Sequence, residues 1–332
     1  MKAIGLSRRE WLLAAPAMAA SVAGVALPVA AAEGRWPTRP LRLLVGFPGG
    51  SSPDLMARLL ADPLSRALGQ PVVVDNRVGA GGNLAATLVA RATDGHTLGL
   101  MINGNLTTAR LLQPATAYDP ATDLAPVALL GSAPLLLCAG AQAPTPFKAF
   151  APHAREAGAR WNFGSPGIGT LGHLGMELLQ QRTGLAAVHV PYPGNPQVVA
   201  ALLAGEVQMA LLPPGLALPL VRAGRLQVLL ATSTGRSGLA PEVPGLAESG
   251  IDLPSLEIWN AVAAPRRQPG AQVQRLATEL NRLVREPAVR DAMAQQGWSV
   301  VGAGPEGLAR RMAADTALMA PLIRRLQPLA LR

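Results

Sequence analysis

The chain has 332 residues, of which 49% are hydrophobic and 15% are charged. This composition supports one or two globular domains with a sizeable core, and it excludes disordered and fibrous proteins. The formal net charge of +9 comes from scattered arginines, and aromatic residues make up only 3%, so nucleic-acid binding is not expected. Cys138 is the single cysteine, which excludes an intrachain disulfide, and neither a metal nor a cofactor is expected.

Residues 1–32 are predicted to be an export signal. Lys2, Arg8 and Arg9 form a basic start, residues 11–29 are apolar and uncharged, and three alanines end at Ala32. Residues 7–13 resemble a twin-arginine motif, although twin-arginine and Sec export both stay open. A membrane anchor is the alternative, but the alanine-rich stretch favours cleavage near Ala32 and a periplasmic location.

After the signal, short apolar runs alternate with helical patterns. Strands are predicted at 41–45, 71–74, 97–102, 127–130, 161–163, 188–190, 207–212 and 226–231, with 135–138 as a further extended segment. The first helix is expected to have Ser52 as its N-cap and a kink at Pro63. From Pro269 onward the chain is expected to be mostly helical.

This alternation is typical of doubly wound α/β sheets. About 300 residues follow the signal, which suggests two such lobes. The chain is expected to cross between them at 125–138 and 256–264. Lobe 1 would then comprise residues 33–130 plus 256–332, and lobe 2 would comprise 131–255.

Glycine- and hydroxyl-rich loops follow several of the predicted strands. Because helix N-termini leave amides without partners, such loops can hold a carboxylate or a phosphate. No P-loop is present, and Leu84 stands where a dinucleotide fingerprint needs its third glycine. Ser165 lacks a nucleophile elbow, and the four histidines show no metal-ligand spacing. An enzyme is therefore not expected.

The loops and their flanking strands carry motifs in a recognisable order. They lie at residues 47–54, 69–83, 94–98, 164–174, 189–194, 243–250 and 259–265. In this order they resemble the Bug family, the solute receptors of tripartite tricarboxylate transporters. The resemblance covers nearly all of the chain after the signal.

The resemblance implies a two-lobed periplasmic-binding-protein (venus-flytrap) fold that closes on a small carboxylate by a hinge at the crossings. In relatives, the first loop and the Gly-Ser/Thr loop grip one carboxyl group, a third loop is a further candidate, and the tyrosine loop contacts the far end. The residues implicated here are Phe47, Gly49, Gly50, Ser51, Ser52, Asn103, Asn105, Thr107, Ser165, Gly169, Thr170, Tyr192, Pro193 and Gly194. The expected partners are this ligand and the membrane components of a transporter, with the protein itself a monomer.

Four positions depart from the family pattern: Gly49, Pro193, Asn195 and Gln208. Pro193 stands in place of a lysine-like residue and Gln208 in place of an aspartate, which suggests a ligand less polar than citrate or aspartate, such as a monocarboxylate or an aromatic acid. Two alternatives stay open: a secreted α/β hydrolase and a ligand sensor that acts through a signalling partner. A histidine within hydrogen-bond reach of Ser51, Ser165 or Thr170 would favour the hydrolase.

Overall fold

The computed structural model describes residues 36–330, with side chains up to residue 324. The predicted export signal, residues 1–32, lies outside the described residues. From Pro37 onward the chain forms one compact unit. Among the described helices, none is both long enough and apolar enough to cross a membrane.

The strands of the described chain are β1 (Leu41–Val45), β2 (Val72–Asn76), β3 (Thr97–Ile102), β4 (Leu124–Pro134), β5 (Leu136–Gly140), β6 (Asn162–Ser165), β7 (Val188–Pro191), β8 (Met209–Leu212), β9 (Leu226–Ala231), β10 (Glu257–Pro265) and β11 (Ser299–Ala303). The helices are α1 (Ser52–Leu68), α2 (Asn83–Arg91), α3 (Asn103–Thr107), α4 (Ala109–Leu112), α5 (Phe147–Ala157), α6 (Leu171–Thr183), α7 (Asn195–Ala204), α8 (Pro214–Arg222), α9 (Gly270–Leu283), α10 (Pro287–Gln295) and α11 (Pro305–Ala330).

The strands form two mixed sheets. The first has six strands in the order β11-β4-β10-β3-β1-β2, with β1 parallel to β2 and β3, and β10 antiparallel to β3 and β4. The second has five strands in the order β7-β6-β8-β5-β9, with β6 parallel to β7 and β8, and β5 antiparallel to β8 and β9. Helices flank both sheets, in agreement with the predicted α/β architecture.

Each sheet buries its own apolar side chains, as a layered α/β protein requires. Trp259 and Leu44 belong to a core of the first sheet. Phe163, Leu174 and Leu211 belong to a core on one face of the second sheet, and a separate core covers its other face. The leucines of α6 are also buried: Leu171, Leu174, Leu178 and Leu179.

The chain passes from the first sheet to the second at Leu135, between β4 and β5, and returns through residues 232–256. Thr232 joins the two passages. Its hydroxyl accepts from the Leu135 amide at 2.8 Å and donates to the Leu256 carbonyl at 2.6 Å. Backbone hydrogen bonds from Thr232 to Leu135 and from Leu256 to Thr232 complete the junction.

Several local predictions are corrected by the structure. Ser51, with ψ at 157°, occupies the N-cap position of α1, while Ser52 already belongs to the helix. Helix α1 contains Pro63 and extends to Leu68, and the kink at Pro63 stays a prediction. Asn103 begins a short helix rather than a loop, and the C-terminal region contains the strand β11 between two helices.

Candidate functional site

A small cavity of about 40 Å³ lies where the two sheets face each other, and we call it the small cavity. It is lined by the starts of three helices: Ser52 of α1, Leu171 and Gly172 of α6, and Asn195 of α7. The first amides of a helix have no intrahelical partner and carry a partial positive charge. Three such helix starts around one space create an environment that favours an anion.

No charged side chain lines the small cavity among the residues that the structure describes. Its remaining wall is largely apolar, and the apolar residues include Leu135, Leu211, Ile258 and Trp298. The anion-binding character of this space therefore comes from helix ends and neutral polar groups.

Asp54 organises the loop before α1. Its carboxylate accepts hydrogen bonds from the Gly50 amide at 2.9 Å, from Arg58 at 3.0 Å and from Asn76 at 2.9 Å. Burial by itself would raise the pKa of Asp54, but the hydrogen bonds from Arg58, Asn76 and Gly50 hold it below its usual value. Asp54 thus stays ionised and is occupied by its own loop.

Four buried polar atoms of the small cavity have no hydrogen-bond partner in the described chain. They are Ser51 Oγ, Asn103 Oδ1, Asn195 Oδ1 and Asn260 Nδ2. These residues are 1%, 8%, 7% and 1% exposed, respectively. A buried polar atom without a partner costs about 1–3 kcal/mol, so four around one space indicate a surface built to meet a polar ligand.

A second, larger cavity of about 410 Å³ lies beside the first, and we call it the large cavity. Asn105 lines it, but its side chain is already satisfied: it accepts from the Ile102 amide and donates to the Gly81 carbonyl and to Asn83. Asn83 also accepts from the Tyr118 hydroxyl at 2.9 Å. Despite its size, the large cavity offers fewer unsatisfied polar groups than the small cavity.

Two neutral histidines support the loop that leads into α6. The rings of His173 and His189 stack with centroids 4.1 Å apart, and Phe163 stacks on His189 at 4.8 Å. Nδ1 of His173 accepts a hydrogen bond from the Gly169 amide at 3.2 Å. Burial lowers the pKa of His173 to about 4, and burial together with the neighbouring His173 lowers the pKa of His189 to about 3.

Ser165 Oγ lies 2.7 Å from Nε2 of His189. A histidine within hydrogen-bond reach of Ser165, which would favour a hydrolase, is therefore present. However, Ser165 is 0% exposed and lines neither cavity. In the part of the chain that the structure describes, no carboxylate hydrogen-bonds to the His189 ring. A nucleophile needs access to substrate and an oriented base, and this pair lacks both, so it holds the loop instead.

The structure places some of the sequence-predicted site residues around the small cavity. These are Phe47, Ser51, Ser52, Asn103 and Thr170. The Thr170 hydroxyl already donates to the Gly167 carbonyl at 2.7 Å, so its single proton is not available to a ligand.

Other sequence-predicted residues line the large cavity: Asn105, Gly169, Tyr192 and Pro193. Thr107 lies in an adjoining cleft, where its hydroxyl donates to the Asn103 carbonyl at 2.7 Å.

The remaining predicted residues line neither cavity: Gly49, Gly50, Ser165 and Gly194. The Gly50 amide is bound to Asp54, and a Cβ on Gly194 would lie 2.7 Å from the Pro48 ring. These two glycines therefore shape the loops from outside the cavities.

Sequence reasoning missed Asn260 and Trp298 in the small cavity and treated Asn195 only as a departure from a motif. Asn195 begins a helix after a glycine-containing turn, which is a signal that could have identified it. Asn260 lies within a buried strand, and Trp298 lies just before β11, so no local pattern distinguished them.

The chain is similar to a known protein family and to several solved structures. The profile described as "Tripartite tricarboxylate transporter family receptor" matches residues 56–327. Protein BugT of Bordetella pertussis is 36% identical over 298 residues, covering 89% of this chain and 91% of BugT.

Two solved structures from Rhodopseudomonas palustris superpose on this chain with TM-scores of 0.83. MatC (Rpa3494), with bound malate, is 30% identical and is matched over 87% of this chain and 100% of its own. Rpa4515, with adipate, is 31% identical and is matched over 87% of this chain and 97% of its own.

Proposed function

Because the chain belongs to the tripartite tricarboxylate transporter receptor family, we propose that it binds a small organic carboxylate in the small cavity and presents it to a membrane transporter. The observation that carries this proposal is the convergence of the N-termini of α1 and α6 on that cavity. The similar structures with malate and adipate support a carboxylate as the ligand.

The chemistry of the site is that of an uncharged anion receptor. The partial positive charge of helix N-termini attracts a carboxylate, and the unpartnered Ser51 hydroxyl can donate to it. The neutral His173 and His189 supply no positive charge. A bound carboxylate would be held by dipoles and hydrogen bonds and would need no salt bridge.

The proposed function includes a periplasmic location and a receptor role. A signal in residues 1–32 would export it to the periplasm, where it would act as a monomeric receptor rather than as an enzyme. The inaccessible Ser165 favours binding over hydrolysis. A role as a ligand sensor with a signalling partner is the second candidate, because the cavity would serve either partner.

Isothermal titration with matched carboxylates and carboxamides tests the proposed function. We expect propionate and larger monocarboxylates to bind and their neutral amides not to bind, since the helix ends favour the negative charge. Ser51→Ala should weaken carboxylate binding by roughly 10- to 100-fold, because the lost donor faces a charged group.

Ser249→Ala is the matched control, since Ser249 lines neither cavity and its hydroxyl donates to the Gly245 carbonyl. This control should bind like the wild type. If the amides bound as well as the acids, or if Ser51→Ala had no effect, the proposed carboxylate site would be wrong.

A further inference from the structure

The orientation of the Asn103 side chain shows what the small cavity requires besides an anion. Its Nδ2 donates to the Glu257 carbonyl at 3.3 Å, which leaves Oδ1 as the free atom. That Oδ1 is buried and has no partner in the described chain. An amide oxygen only accepts hydrogen bonds, so the group that satisfies it must be a donor.

Asn260 provides the complementary group on the same wall. It lies on β10, paired with Ile102 of β3, the residue before Asn103. Its Nδ2 is also buried and has no partner, and this nitrogen only donates. A free acceptor at the start of α3 and a free donor on the adjacent strand β10 therefore line the same cavity.

A carboxylate cannot satisfy this pair, because its oxygens accept and never donate. A hydroxyl group can, since it donates one hydrogen bond and accepts others. An ammonium group would satisfy Asn103 but not the Asn260 donor, and among the described residues no carboxylate lines the cavity to balance its charge.

The size and lining of the cavity define the rest of the ligand. The unpartnered groups of Ser51, Asn103 and Asn260 line the same small cavity, so a ligand that meets all of them carries its hydroxyl close to its carboxylate. The apolar wall, which includes Leu135, Leu211 and Ile258, suits a short alkyl group. In the described part of the chain, no cationic side chain lines the cavity to bind a second carboxylate.

On these grounds we propose that the preferred ligand is a small 2-hydroxy monocarboxylate whose hydroxyl is bound by Asn103 and Asn260. This inference rests on the proposed function, because it assumes that the helix ends hold the carboxylate. Binding of the hydroxyl by Asn103 and Asn260 would distinguish hydroxy acids from other carboxylates that the helix ends also attract.

Titration with four matched compounds tests it: lactate, propionate, alanine and lactamide. Lactate should bind roughly 10- to 100-fold more tightly than propionate, the range expected when a buried polar pair gains or loses its partner. Equal binding of lactate and propionate would overturn the hydroxyl site while leaving the proposed function intact, and preference for alanine would overturn it in favour of an ammonium. Failure of both acids to bind, with lactamide bound, would instead refute the proposed function.

Variants assign the selectivity to residues. Asn103→Leu and Asn260→Leu should each bring the lactate-to-propionate affinity ratio close to one, with little change in propionate binding. Asn281→Leu is the matched control, because Asn281 on α9 also has a buried, unpartnered Oδ1 but lines neither cavity.

The Asn281 variant should keep the wild-type ratio. Thermal unfolding shows which variants fold, and Asn260→Leu provides the test if the loss of the Glu257 contact destabilises Asn103→Leu. Retention of the wild-type ratio in a folded Asn103 or Asn260 variant would overturn the assignment.

Discussion

The stacked rings of His173 and His189 are the clearest case of a single-residue effect on the site. The ring of His173 accepts a hydrogen bond from the Gly169 amide. The Ser165–His189 contact resembles part of a catalytic arrangement, yet its burial makes it a support for the ligand-binding loop. Because both rings are held neutral, their protonation opposes folding.

We therefore expect acid to destabilise the protein in a defined range. The folded pKa values of about 4 for His173 and about 3 for His189 lie below the ordinary 6.5, so the unfolded chain binds more protons as pH falls below about 6.5. The free energy of unfolding should drop by roughly 2–4 kcal/mol between pH 7 and pH 5. Urea unfolding at several pH values measures this.

The variant His173→Gln should lose part of that pH dependence, because glutamine does not titrate. His153→Gln is the control, since His153 is exposed on α5, and it should retain the dependence. An identical pH profile in wild type and His173→Gln would contradict this account.

At the scale of elements, the junction between the two sheets depends on Thr232. This residue is 0% exposed, and its hydroxyl connects the Leu135 amide to the Leu256 carbonyl. Both passages of the chain between the sheets are thereby joined at one side chain. A hinge for lobe closure would have to operate around this junction.

Replacing that hydroxyl tests its importance. Thr232→Val keeps the shape but leaves the Leu135 amide and the Leu256 carbonyl without partners, so it should destabilise the protein by about 1–3 kcal/mol. Urea unfolding measures the loss, and Thr122→Val, at an exposed threonine, should change stability little. If Thr232→Val were as stable as Thr122→Val, the junction between the sheets would not depend on the Thr232 hydroxyl.

At the scale of the whole molecule, loops of the two sheets meet closely around the cavities. A Cβ on Gly194 would lie 2.7 Å from Pro48, and one on Gly81 would lie 2.8 Å from the Ile168 carbonyl. Such distances are possible only where side chains are absent. The loops of the two sheets are therefore in close contact in this conformation, and the proposed binding mechanism requires a more open state that admits the ligand.

Small-angle X-ray scattering tests this mechanism. The radius of gyration should decrease when a bound carboxylate closes the lobes, and Gly194→Ala should reduce this compaction and weaken binding by roughly 10-fold. The backbone at Gly194 is extended, with φ at −176°, so alanine introduces the contact with Pro48 without backbone strain.

Gly140→Ala is the matched control, because a Cβ there meets nothing within 4 Å. It should behave like the wild type. Scattering profiles that do not change at ligand saturation would refute closure.

Local patterns were sufficient for much of the fold. The predicted strands 41–45, 97–102 and 226–231 coincide with β1, β3 and β9, because short, largely apolar runs of this length are strong strand signals. The strand β11 was missed, since it is short and only partly buried at the edge of its sheet. The limits of the two lobes and the proposed site residues stay predictions.

The sequence by itself determined the α/β class, the family and the presence of loops suited to an anion, because periodicity, glycine placement and ordered motifs are local properties of the chain. Only the tertiary structure decided which of these loops share a cavity and which polar atoms lack partners. Asn103 and Asn260 are 157 positions apart in the chain. They become neighbours because β10 returns to pair with β3 in an antiparallel register, a pairing that no local pattern specifies.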